Sequence, residues 1–165
     1  MRWIWIDTFV DFESGKRASA VKNISLAEEY LHDHFPGYPV FPPPLMIEGM
    51  AQTAGILAGE ARGFAENVIL AKIRLAKFED YARPGDQLRY DAVLDSIDER
   101  AAVSSGTVFL NGVQIGRVDL IFSHVRGDNT LGLPDYNFVF TEQFTNLLAS
   151  FRDQITSGST TADEG

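Results

Sequence analysis

Cysteine is absent from the 165 residues. That excludes disulfides, thiolate zinc sites and a cysteine nucleophile, and it fits a reducing cytoplasm, where we expect the protein to reside. No apolar run approaches the roughly 18 residues of a membrane span. The N-terminal MRWIWIDTF has an acid too early and an apolar stretch too short for a signal peptide. Positive charge is also scarce, with 14 Lys and Arg against 23 Asp and Glu, a net charge of −9. That balance argues against nucleic acid as a partner.

The remaining composition, 45 % hydrophobic and 22 % charged, suits a single globular domain with a substantial core. The basic residues are bunched: Lys72, Arg74, Lys77, Arg83 and Arg89 lie close together. Such a cluster offers an acidic partner a local landing surface, or it is a set of solvated strand charges.

Aromatic and β-branched residues from Trp3 to Phe12 predict a strand, and Arg17 to Ser25 its hairpin partner across Ser14-Gly15. Leu26 to Asp33 suggests one helical turn. Five of the seven prolines fall between Pro36 and Pro44, which forces extended backbone. A helix is expected from Leu45 to Arg62, rich in Gly49, Ala51, Ala54, Gly55, Ala58 and Gly59. Each interior glycine costs about 0.5–1 kcal/mol relative to alanine, so close approach of another backbone is expected there.

From Asn67 the pattern becomes β: NVILAKIRLAKF, QLRYDAVLDSI, AAVSSGTVFL and VQIGRVDLIFSHV alternate. Asn111-Gly112 between the last two is a strong hairpin signal. Strands around one long helix predict an α+β architecture, a curved antiparallel sheet with the helix in its concavity. GDNTLGLPDYN is expected to be a loop, and Thr141 to Arg152 an amphipathic helix capped by Thr141. These features divide the chain into a main domain at 1–126, an extension at 127–152 and a disordered tail at 153–165.

Two polar residues stand out. Glu48 lies in an oily helix, and His34 opens the proline-rich HFPGYPV. Glu48 alone reads either as a functional acid or as a helix-start carboxylate favoured by the macrodipole. His34 alone reads as a structural loop histidine. Gln52, one turn beyond Glu48, shares its face. Gly37 follows Pro36 at the third position of an expected turn. His32 is expected on the surface, and His124 ends the last strand.

Four segments in order, GKRASAVKNIS, HFPGYPV, LMIEGMAQTAGIL and LAKIRLAKFEDYARPGDQL, resemble the 3-hydroxyacyl-[acyl-carrier-protein] dehydratases of fatty-acid synthesis. The similarity spans about Ile6 to Val125 and implies the hotdog fold. It implies dehydration of a (3R)-hydroxyacyl thioester to the trans-2-enoyl thioester, with no cofactor and no metal. His34 would take the proton beside the carbonyl, and Glu48 would protonate the departing hydroxyl. Gln52 would orient the acid. The resemblance also implies a homodimer, with trimers of dimers in some members, and a site shared between subunits. The carrier partner, acyl carrier protein, would meet the Lys72–Arg89 cluster.

In one respect the sequence departs from that family. The family's Pro-Gly-X-Leu before the helix supplies backbone N–H groups to the thioester oxygen. Here Pro43 and Pro44 occupy the glycine and the following position, and neither has an N–H. Leu45 and Met46 are the next expected donors. The acyl tunnel is expected to use Phe35, Phe41, Met50 and Phe78. Two other functions fit the same residues: a hotdog thioesterase with Glu48 as base or nucleophile, and a non-catalytic acyl-binding subunit.

Overall fold

The structure is a computed structural model that describes residues 3–125, 134 and 136–160, with the backbone alone for 155–160. Six strands, β1 (Thr8–Glu13), β2 (Arg17–Asn23), β3 (Asn67–Phe78), β4 (Gln87–Ile97), β5 (Ala101–Leu110) and β6 (Val113–Val125), form one sheet. The order is β1-β2-β4-β5-β6-β3, with every pair antiparallel. A long helix, α1 (Pro43–Glu60), contacts β2 through β6 and fills the hollow of the sheet. This is the hotdog arrangement. A second helix, α2 (Glu142–Thr160), packs on β1.

Alternation explains the strands. Along β5 every second residue is buried, and β4 begins with the same rhythm, so one face of each meets α1. At the Asn111-Gly112 turn both residues take positive φ, 50° and 86°, as a two-residue mirror-image turn requires. Trp3 to Asp7 precede the first strand, yet Trp5 and Ile6 are buried in the core. The segment Leu26–Asp33 holds only a short 3-10 turn, Glu29–Leu31.

The glycines of α1 answer a demand different from the expected backbone approach. A Cβ on Gly49 would lie 2.5 Å from Cζ of the fully buried Tyr90 of β4. Met50 reaches the opposite way into a notch at Gly106 of β5. Side chains fill both gaps, with the Val118 carbonyl also close at Gly106, because helix and sheet interdigitate at close packing.

The chain beyond β6 departs from expectation at its far end. Of the expected loop, residues 127–133 and 135 lie outside the described residues. Helix α2 starts at Glu142, with the Thr141 carbonyl accepting from the N–H groups of Phe144 and Thr145. It runs to Thr160, past the expected start of a disordered tail at 153. Leu148 and Phe151 are buried and anchor it, and an anchored helix extends at little cost per added residue. Residues 161–165 lie outside the described residues. No helix among the described residues is long and apolar enough to cross a membrane.

Candidate active site

Glu48 is the sixth residue of α1, beyond the first turn, which holds no acid. The macrodipole therefore does not account for it. Its partner does more. The Nε2 group of Gln52 donates to Glu48 Oε1 at 2.9 Å and to the carbonyl of Trp3 at 3.1 Å. Gln52 Oε1 accepts the N–H of Trp5 at 2.8 Å. A backbone donor and a backbone acceptor thus fix which end of the amide is which, and both Nε2 hydrogens are used. Gln52 is only 7 % exposed. The N-terminal segment running beside α1 thereby sets the position of the acid, while the second carboxyl oxygen of Glu48 has no protein partner among the described residues.

The histidine loop is built from a tight turn. Phe35 and Tyr38 exchange two backbone hydrogen bonds, at 3.2 and 2.9 Å, around Pro36 and Gly37, whose φ is +77°. Glycine carries that φ without strain, and Pro36 presets the position before it. The His34 carbonyl accepts the N–H of Val40 at 3.0 Å, and the His34–Phe35 peptide is cis. The half-buried imidazole stacks on Phe35, with ring centroids 4.3 Å apart. Arg83 donates to the Tyr38 hydroxyl and lies 4.7 Å from the centroid of its ring.

A cavity of about 390 Å³ opens beside Glu48. Glu48, Gln52 and Trp3 stand on its wall, and along α1 it continues over Ala51, Gly55 and Ile56. Its far side is made by Phe122 of β6 and by Phe138 to Thr141 and Phe144 from the C-terminal extension. His34 does not line it. A single chain therefore does not bring the expected acid and base into one cavity.

The four expected tunnel residues are elsewhere too. Phe41 is fully buried between Trp5 and Tyr30, with centroids 5.9 and 5.7 Å away. Met50 fills the notch at Gly106, Phe78 packs over Gly116, and Phe35 is half exposed against His34. An apolar residue type does not say which surface a side chain meets: Phe41 and Met50 go to the core, and Phe35 to the surface of the histidine loop. Among the wall residues Trp3, Gly55, Phe138 to Thr141 and Phe144, the aromatic run Phe138-Val139-Phe140 is the main local signal. A run in a loop carries no address in the fold.

The helix start also corrects an expectation. The N–H groups of Leu45 and Met46 both donate to the carbonyl of Pro42, at 2.9 and 3.3 Å. Pro42 has extended dihedrals, φ −60° and ψ 132°, which aim its carbonyl along the helix. With Pro43 and Pro44 lacking N–H groups, the first four helical positions present no free backbone donor. Leu45 and Met46 are therefore not free oxyanion donors in this chain.

The five basic residues do not form one free patch. Lys72 and Arg74 are exposed on β3, and Lys77 pairs with Glu79 at 2.9 Å. Arg89 pairs with Asp91 and lies over Phe109, and Arg83 stands at the histidine loop. His32 is exposed, with a ring nitrogen 3.2 Å from the carbonyl of Leu26. His124 is buried beside Glu66, whose carboxylate also binds Arg62 at 2.6 Å.

The FabA-like domain family matches residues 3–119. The chain is 35 % identical to the 3-hydroxyacyl-[acyl-carrier-protein] dehydratase FabZ of Nitratiruptor sp. over 127 residues, covering 72 % of this chain and 84 % of the relative. It is 40 % identical to the FabZ of Sodalis glossinidius over 105 residues, 62 % of this chain and 68 % of the relative. Among solved structures, the dehydratase heterocomplex ApeI:P of Xenorhabdus doucetiae superposes with a TM-score of 0.65 at 17 % identity. That match covers 76 % of this chain and 85 % of the other. Conserved protein PA5202 of Pseudomonas aeruginosa gives 0.59 at 15 % identity, over 72 % and 87 % of the two chains. A hotdog sheet around α1, an acid held by Gln52 and a family match across more than half the chain lead to one conclusion: the protein belongs to the FabA-like family, alongside the FabZ dehydratases.

Proposed function

We propose that the protein dehydrates (3R)-hydroxyacyl thioesters carried by acyl carrier protein, giving trans-2-enoyl thioesters and water. The observation that carries this reading is Glu48, positioned by Gln52 at the polar end of an otherwise largely apolar cavity, in a member of the FabA-like family. The imidazole of His34 removes the proton from C2. Glu48 gives its proton to the 3-hydroxyl, the C3–O bond breaks, and water leaves. Such general acid and base steps contribute about 10²–10⁴ each.

Two copies of the chain complete the site, since the cavity of one holds the acid and not the histidine. Strand β3 supports this pairing. It lies at the edge of the sheet, with an unpaired backbone side and with Ile73 and Leu75 45 % and 38 % exposed. Arg83 beside Tyr38 gives an acidic carrier protein a contact at the rim of the histidine loop, with Lys72 and Arg74 as further positive charge.

The missing donors at Pro43 and Pro44 lower the rate without changing the reaction. In acyl transfer the loss of one such donor costs about 10²–10³. The test is hydration of crotonyl thioesters on acyl carrier protein and on coenzyme A, read by enoyl absorbance and free thiol together. The expected result is loss of enoyl absorbance without thiol release, faster in Pro43→Gly than in wild type. Thiol release would instead mark a thioesterase, and binding with neither change a non-catalytic acyl-binding subunit.

A further inference from the structure

Three glycines interrupt α1, and two have evident reasons. Gly49 makes room for Tyr90, and at Gly59 a Cβ would overlap the ring of Phe140. Gly55 is different. A Cβ there would meet only Phe122, at 3.6 Å, an ordinary contact. No packing demand forbids alanine at 55, yet glycine weakens a helix interior. Gly55 lies on the cavity wall, so the missing side chain keeps space open rather than letting a neighbour approach.

The same cavity has a built end. Glu48, Gln52 and Gly55 mark successive turns of one face, and Gly59 is the next. Over Gly59 sits Phe140, its ring centroid 5.0 Å from that of Phe64. At a rise of 1.5 Å per residue, Phe140 stands about 16 Å along the axis from Glu48. The FabA-like match ends at residue 119, so this obstruction comes from chain outside it.

Hydrogen bonds hold the obstruction in place. Oδ1 of Asn67, itself 4 % exposed, accepts the N–H groups of Phe138 at 2.8 Å and Val139 at 3.2 Å. The side chain of Asn137 donates to the carbonyls of Phe64 and Glu66, both at 3.1 Å, and accepts from the N–H of Phe140 at 2.9 Å. On the other side, α2 is fastened by Phe151 against Phe9 and by the ion pair of Arg152 with Glu60. The crossing segment is thus clamped at both ends.

We infer that the C-terminal extension is the end wall of the acyl channel, with Phe140 and Phe144 setting the longest acyl chain accepted and Gly55 keeping the channel open to them. This rests on the dehydratase reading of the site. A chain growing from a thioester at Glu48 runs over Gly55 and meets aromatic rings that cannot yield without releasing the asparagine clamp. The selected class is short to medium 3-hydroxyacyl chains.

The test is a series of enoyl-acyl carrier proteins from four to sixteen carbons, assayed for hydration with wild type, Phe140→Ala, Phe144→Ala and Gly55→Leu. Wild type is expected to lose kcat/KM sharply above a threshold length. The two alanine variants move that threshold up and raise the ratio of long-chain to short-chain kcat/KM at least tenfold. Gly55→Leu removes no core packing and moves the threshold down. Binding of saturated acyl carrier proteins of the same lengths reads the wall independently of turnover. A wild type that hydrates short and long chains equally would overturn the inference while leaving the dehydratase reading intact. So would folded variants with an unchanged threshold. Absence of hydration at every length, with length-dependent binding that follows the variants, would leave the wall standing and remove the dehydratase reading.

Discussion

The two sides of α1 obey different rules. Toward the sheet, every available volume is taken: Tyr90 occupies the space of a missing side chain at Gly49, and Met50 occupies that at Gly106. On the other side the helix carries Glu48, Gln52 and Gly55 against a cavity. Both sides carry glycine, but Gly49 on the sheet side admits a neighbouring ring, whereas Gly55 on the cavity side leaves space open. A small residue in a helix therefore has no fixed meaning until its opposite number is known.

The largest expected effects lie on the open side and in the histidine loop. Glu48→Gln and His34→Ala should each lower kcat/KM for crotonyl-acyl carrier protein by about 10²–10⁴. Melting temperature and circular dichroism should stay at wild-type values, because neither side chain supports the core. Retention of full activity by either variant would remove that residue from the mechanism.

Gln52 joins the two sides, since it holds both Glu48 and the backbone of Trp3 and of the buried Trp5. Gln52→Leu leaves the Trp5 N–H without its acceptor, a loss of about 1–3 kcal/mol. It also lowers kcat with less effect on KM, because the acid is misplaced while the channel remains. A change in stability alone would make Gln52 purely structural.

The glycines give the sharpest contrast for the smallest chemical change. Gly49→Ala should destabilise by about 1–3 kcal/mol through overpacking against Tyr90. Gly55→Ala should stabilise by up to about 1 kcal/mol, since it improves the helix and meets only Phe122 at ordinary distance. Chemical denaturation of both separates them, and equal signs would erase the distinction between the two sides. The smallest effect is at Tyr90 itself. Its buried hydroxyl has no hydrogen-bond partner among the described residues, and burial pushes its pKa up. Tyr90→Phe removes an unsatisfied polar group and should be neutral or stabilising by under about 1 kcal/mol.

Much of this arrangement was legible in the sequence. The strand alternation, Asn111-Gly112 and the proline run before an apolar helix are local signals, and the elements form close to their patterns, although β1 begins only at Thr8 and not at Trp3. The pairing of Glu48 with Gln52 was legible for the same reason, because four residues make one helical turn. What could not be read is set by contacts between distant segments. Nothing local tells that Phe140 will rest on Gly59, or that Phe41 faces Trp5 and not a channel. The fate of the Leu45 and Met46 N–H groups depends on where the Pro42 carbonyl points, which follows from its dihedrals and not from its identity.

The central claim is that the acid on the open side of α1 meets a histidine from a second copy of the chain. Complementation tests it most directly: inactive His34→Ala and Glu48→Gln chains are unfolded together, refolded, and assayed for crotonyl-acyl carrier protein hydration. Random pairing into two-fold dimers places one intact site in each mixed dimer, so the mixture should regain about a quarter of wild-type activity. A mixture that stays inactive, with mixed dimers verified by mass, would contradict the shared site.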